Sequence, residues 1–131
     1  MKKIYILLFS MTLILMSCGS DDGGDTNPTI ECVDIALPAF RIQVTNASTD
    51  LPLPGVTITA RESNTFEEIL MEVSTSPGTY QGVIEREGSY TLVVEIDGFQ
   101  TVITEAIPVV RLNDGCDTLD TQELSFALEE L

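Results

Sequence analysis

The chain has no histidine and no tryptophan, and its only two lysines, Lys2 and Lys3, stand at its start. Without histidine there is no imidazole general base and no imidazole metal ligand. Without lysine beyond position 3, the body of the chain has no amine for Schiff-base chemistry. Basic residues number 6 against 21 acidic ones, a net charge of −15. A surface of this sign repels phosphate backbones and anionic headgroups, which excludes nucleic acid as a partner. Aromatics are few, three tyrosines and five phenylalanines. That is a poor supply for the stacking walls of a sugar cleft, so the adjacent carboxylates Glu67-Glu68 and Glu129-Glu130 and the nearby Glu85 and Glu87 read as a solvated face rather than a glycosidase pair. The sequence is read as non-enzymatic, with no cofactor. Its 131 residues suffice for one domain rather than two.

What the chain does have begins with a leader. Lys2 and Lys3 precede an apolar run at residues 4–16, 13 residues long. This is the length of a secretory core and falls short of the roughly 20 residues of a spanning helix. The run closes on Leu15-Met16-Ser17-Cys18. These residues resemble a bacterial lipobox, which implies cleavage before Cys18 and lipidation (palmitate among the acyl chains) of that cysteine. Several acyl chains, at about 0.8 kcal/mol per buried methylene, give a lasting membrane anchor. The mature chain would then carry 21 acids against four arginines, a net charge of 4 − 21 = −17. Small, polar and acidic residues follow, Gly19-Ser20-Asp21-Asp22-Gly23-Gly24-Asp25 among them. They cannot bury enough apolar area to fold and read as a tether, about 19 Å in typical span over residues 19–30. Ser20-Asp21-Asp22 resembles the acidic export signal of Bacteroidota surface lipoproteins, implying an outer-membrane location facing the cell exterior.

Three cysteines less the lipidated Cys18 leave Cys32 and Cys116. An even pair in an oxidising compartment is expected to form a disulfide. The loop it closes, 116 − 32 + 1 = 85 residues, is worth about 4.5 kcal/mol in the chain-entropy model.

Beyond Ala39 the pattern has period two. Phe40, Ile42 and Val44 alternate with polar residues, as do Val56, Ile58 and Ala60. Tyr80, Gly82 and Ile84 are predicted on one face, and Tyr90, Leu92, Val94 and Ile96 on another. Residues 102–105 and 109–112, and Leu124, Phe126 and Leu128, supply further strands. Turn residues punctuate them at Leu53-Pro54-Gly55, Ser76-Pro77-Gly78, Asp97-Gly98 and Asn113-Asp114-Gly115. Residues 65–72 fit a helix, while 69–73 read equally well as strand. The fold class predicted is all-β, a seven- to eight-stranded antiparallel Greek-key sandwich. The tyrosines are expected in the core or at corners, bonded through their hydroxyls. Phe66 is the one aromatic that alternation does not place inside; it reads as a residue folded over the core edge, with a partner anchor as the other reading.

Asp50-Leu51-Pro52-Leu53-Pro54-Gly55-Val56-Thr57-Ile58, with Gly78-Thr79-Tyr80, Gly88-Ser89-Tyr90 and Gly98-Phe99, resembles the motif series of carboxypeptidase regulatory-like domains. The resemblance implies a prealbumin-like seven-stranded sandwich and a non-catalytic module. The organisation expected is a signal peptide at 1–17, the lipidated Cys18 and tether at 18–30, and the regulatory-like domain at 31–131. Asn113, Asp114, Asp117 and Asp120 sit close enough in sequence to offer hard oxygens to Ca²⁺, and read equally as a turn before an exposed strand. Asp117-Thr118-Leu119 resembles the O-glycosylation acceptor of exported Bacteroidota proteins, with Thr118 as the modified residue. Two functions follow. The first is a lipid-anchored surface module that binds an outer-membrane protein or a surface glycan; the second is a small extracellular carrier of a ligand or of Ca²⁺.

Overall fold

Alternating side chains give each strand one apolar face, and two such sheets bury these faces against each other. The computed structural model describes residues 29–131; the leader, Cys18 and the acidic tether as far as Pro28 lie outside the described residues. Nine strands form, β1 (Pro38–Asn46), β2 (Thr57–Glu62), β3 (Phe66–Ile69), β4 (Met71–Glu72), β5 (Thr79–Ile84), β6 (Gly88–Glu95), β7 (Val102–Ile103), β8 (Ile107–Val109) and β9 (Gln122–Leu128). One sheet has the order β4-β5-β1-β9; the other runs β3-β2-β6-β7, with β8 also on β6. The chain changes sheet between β1 and β2, β3 and β4, β5 and β6, and β8 and β9, the interleaving of a Greek-key sandwich.

The core lies between the sheets. Phe40, Ile42 and Val44 of β1 and Tyr80 of β5 face Ile58 and Ala60 of β2 and Tyr90, Leu92 and Val94 of β6, all essentially without solvent contact. Each large aliphatic among them contributes about 1.5–3 kcal/mol by leaving water. Phe40 meets Tyr90 edge-on across the sheets, with centroids 5.6 Å apart.

Three expectations are corrected. Among the described residues the strands number nine, because residues 65–73 supply two short strands, β3 and β4, one in each sheet. The separate stretches expected at 102–105 and 109–112 appear as the shorter β7 and β8, and between them Leu92 exchanges backbone and side-chain hydrogen bonds with Thr104. Between β8 and β9, Arg111 and Leu119 form an isolated antiparallel bridge. The sheets are not wholly antiparallel: β9 runs parallel to β1, with Phe40 opposite Gln122 through Asn46 opposite Leu128. The chain returns along the end at which β1 begins before starting β9, so the two strands enter side by side. Ile84 does not join Tyr80 and Gly82 inside. Val83 takes φ +57° and Glu85 φ +54°, which reverses the alternation, burying Val83 and leaving Ile84 half exposed. The Glu68 carboxylate takes the Val83 N–H at 2.8 Å and holds that kink. Of the two readings open at 65–73, strand is the one adopted; Leu70 is the buried point at which the chain leaves β3 in one sheet for β4 in the other.

Cys32 and Cys116 are joined, with Cα atoms 5.4 Å apart. The bond lies six residues ahead of β1 (38 − 32) and six ahead of β9 (122 − 116). It clamps the two parallel strands at the end where both begin. The carboxylate of Glu85 accepts the Leu37 N–H at the same end.

Candidate functional site

Strand directions divide the loops into two sets. At the leading end, where β1 starts, lie residues 63–65, 85–87 and 110–121 and the disulfide. At the far end lie residues 47–56, 73–78, 96–101 and the terminal 129–131. The far-end loops are cross-braced from below. The Tyr80 hydroxyl, at the edge of the core, donates to the Leu53 carbonyl at 2.8 Å and accepts the Val56 N–H at 2.9 Å. Glu72 spans two loops, one carboxylate oxygen taking the Gly78 N–H at 2.9 Å and the other the Gly55 N–H at 3.2 Å. Asn46 turns the chain out of β1: its carbonyl oxygen accepts the Ser48 N–H at 2.8 Å while its amide donates to Glu130 at 2.8 Å. The Gln100 N–H donates to the Glu129 carbonyl and the Leu131 N–H to the Gly98 carbonyl, tying residues 129–131 to the 96–101 loop.

These braces frame an open groove of about 470 Å³, walled by Gly55, Thr57, Glu95, Asp97, Phe99 and Thr101 with Leu131 at its rim. Its lining includes the hydroxyl residues Thr57 and Thr101, and its charged side chains are the carboxylates of Glu95 and Asp97. Such a surface suits hydrogen-bonded or cationic groups of a partner and has no nucleophile–base pair. Burial is the main reason the Tyr80 phenol is pushed above its ordinary range, with Glu72 adding to it and the Val56 hydrogen bond opposing.

The residues singled out by sequence separate when placed in space. Asp114 caps its own turn, accepting the Cys116 N–H at 2.9 Å. The Thr118 side chain first, and then that N–H, hold its carboxyl below the usual range. Asp117 sits at φ +55°, with its carboxylate 3.9 Å from Arg111. Asp120 uses its main chain, donating to Val110 and accepting from Gln122. Among the described residues, no three acidic or thiol side chains converge into a metal-binding group. Thr118 is half-buried, its N–H 3.4 Å from Asp114. Phe66 opens β3 and lies over the core edge, edge-on to Tyr90 at 6.1 Å and with the Arg86 guanidinium 4.2 Å above its ring. Tyr90 bonds through its hydroxyl to the Glu87 carbonyl at 3.1 Å; burial leads the causes that raise its phenol above the ordinary range.

The acidic face is less uniformly solvated than the sequence suggests. Glu67 pairs with Arg61 at 2.8 Å while its neighbour Glu68 turns inward to Val83. Each of the four arginines meets a carboxylate, Arg41 with Glu123, Arg61 with Glu67, Arg86 with Glu62 and Arg111 with Glu85. Arg111 also donates to the carbonyls of Glu85 and Asp117, each at 2.9 Å, stitching two leading-end loops together. Sequence reasoning passed over Glu72, Asn46 and Arg111. Asn46 ahead of Ser48 and Thr49 is a recognisable turn-forming asparagine; Glu72 and Arg111 gave no local signal.

Neither protein-family models nor curated proteins match this chain.

Proposed function

We propose that this protein is a lipid-anchored, non-catalytic module of the outer cell surface, a carboxypeptidase regulatory-like sandwich that binds a protein or glycan partner through its far-end loops. The carrying observation is directional. β1 and β9 start side by side beneath a disulfide, so a chain tethered through its N-terminus would have its attachment at one end and its braced loops at the other. Loops held in place by Tyr80, Glu72 and Asn46 lose little conformational freedom on contact, which favours binding. The lipobox-like Leu15-Met16-Ser17-Cys18 and the following acidic stretch support the anchor and the outward-facing address. The Gly-Val and Gly-x-Tyr series supports the family reading.

The test is site-specific photo-cross-linking on live cells. Probes at Leu51 and Asp97 sample the far end, and one at Asn64 samples the leading end. Adducts from Leu51 and Asp97 and none from Asn64 are expected. Adducts confined to Asn64 would overturn the far-end assignment. A melting temperature that rises with Ca²⁺ or a free sugar, in protein that yields no adduct, would replace the module with a carrier.

A further inference from the structure

Sheet edges are where unpaired N–H and C=O groups recruit further strands, and folded proteins blunt them by shortening, breaking or charging them. Three of the four edges here are blunted. β4 has two residues, β3 has four and carries Glu67, and the β7–β8 edge is interrupted and contains Pro108. β9 is different. It is seven residues long, Gln122–Leu128, without proline, lysine or a positive φ. Among the described residues it pairs only with β1. Beyond Leu128 the chain leaves this edge to bond with Gly98 and Gln100. Its inward residues Leu124 and Phe126 pack on the core yet stay half-buried.

We infer that β9 is a self-pairing edge, joining two copies of this chain antiparallel about a two-fold axis at Ser125. The sequence of the strand is complementary to itself in that register. Leu124 of one copy stands opposite Phe126 of the other, on the core side, so each half-covered apolar residue gains an apolar neighbour. On the outer side Glu123 stands opposite Ala127, and Ser125 opposite Ser125. No carboxylate within the strand then faces its like, although the chain is strongly acidic overall. Glu123 is already paired with Arg41 at 3.2 Å, which leaves this outer face close to neutral. The product is one continuous eight-stranded sheet, with β9 of each copy at its centre. This edge lies along the side of the sandwich, so pairing leaves the far-end loops of both copies free.

The experiment uses the full chain, purified in mild detergent and oxidised with copper phenanthroline. Ser125→Cys should give a reductant-sensitive dimer on a non-reducing gel. Gln43→Cys, which is exposed on the same sheet face but one strand inward, should not, and neither should the parent chain. Charge at position 127 then reads the register. Ala127→Glu in the Ser125→Cys background should reduce the dimer at least tenfold by facing Glu123, whereas Ala127→Lys should maintain or raise it. Circular dichroism and the melting temperature of each variant confirm folding. A folded Ser125→Cys protein that stays monomeric overturns the inference. So does cross-linking that Ala127→Glu leaves unchanged, or a bond from Ser125→Cys to a different protein in place of a second copy.

Discussion

The Tyr80 hydroxyl reaches the Leu53 carbonyl at 2.8 Å, so a side chain rooted between the sheets sets the shape of a surface loop 27 positions earlier. Fold and far-end surface are therefore coupled through one phenol, which also receives the Val56 N–H.

Replacing that phenol separates the two roles. Tyr80→Phe keeps the ring and strands a carbonyl and an N–H, at a cost of about 1–3 kcal/mol. For a domain near 100 residues, each kcal/mol lowers the melting temperature by about 4–8 °C. Thermal melts at pH 7 check this. The pH dependence has a definite sign. The folded phenol titrates above its unfolded value near 10. Its stabilising effect is therefore full below pH 10 and is lost as the pH climbs through the folded value. Wild type should lose stability above pH 10, and Tyr80→Phe should lose less.

Gly78 and Gly55 both take positive φ, +78° and +76°, yet their surroundings differ. A Cβ on Gly78 would meet the Pro52 Cβ at 2.8 Å, whereas one on Gly55 meets nothing within 4 Å. Gly55→Ala should cost the left-handed backbone penalty alone, about 1–2 kcal/mol. Gly78→Ala should cost measurably more, since the Leu51–Leu53 backbone must also move. Paired urea denaturation curves give the difference, and equal losses would contradict the packing argument.

The disulfide should dominate global stability. Cys32→Ser with Cys116→Ser should lose about 2–5 kcal/mol, the range for bonds of this kind in small exported domains. Reduced wild type should melt with the double variant, and oxidised wild type well above both. Coincident transitions in all three would mean that the clamp does not constrain the unfolded chain.

The anchor is tested on cells. Labelled palmitate should enter the protein and disappear with Cys18→Ala; label that persists removes the lipobox reading. External protease should digest the domain on intact cells, and full protection would put it on the inner side of the membrane.

Period-two alternation made the core legible before any coordinates: Phe40, Ile42 and Val44, Ile58 and Ala60, and Tyr90, Leu92 and Val94 are all buried as their spacing demands. The bond between Cys32 and Cys116 was legible once the lipobox resemblance set Cys18 aside, since one pairing then remained. The parallel pairing of β1 with β9 was not legible, because it depends on the end at which a long connection returns, and nothing in Gln122-Glu123-Leu124 records that. Val83 was missed for a related reason. Its kink is held by Glu68, which lies 15 residues away in sequence and next to it in space. The braces behind the far-end groove depend on carboxylates meeting backbone N–H groups. Any glutamate has the chemistry for this, and only the fold selects Glu72.

The covalent link ahead of β1 and β9 also governs how the molecule bears tension. A pull applied between the start of the described chain and Leu131 passes from Cys32 directly to Cys116, bypassing the 83 residues between them (116 − 32 − 1), which stay slack while the bond is intact. The load then falls on the residues after Cys116, so the described domain would lengthen little while the bond holds.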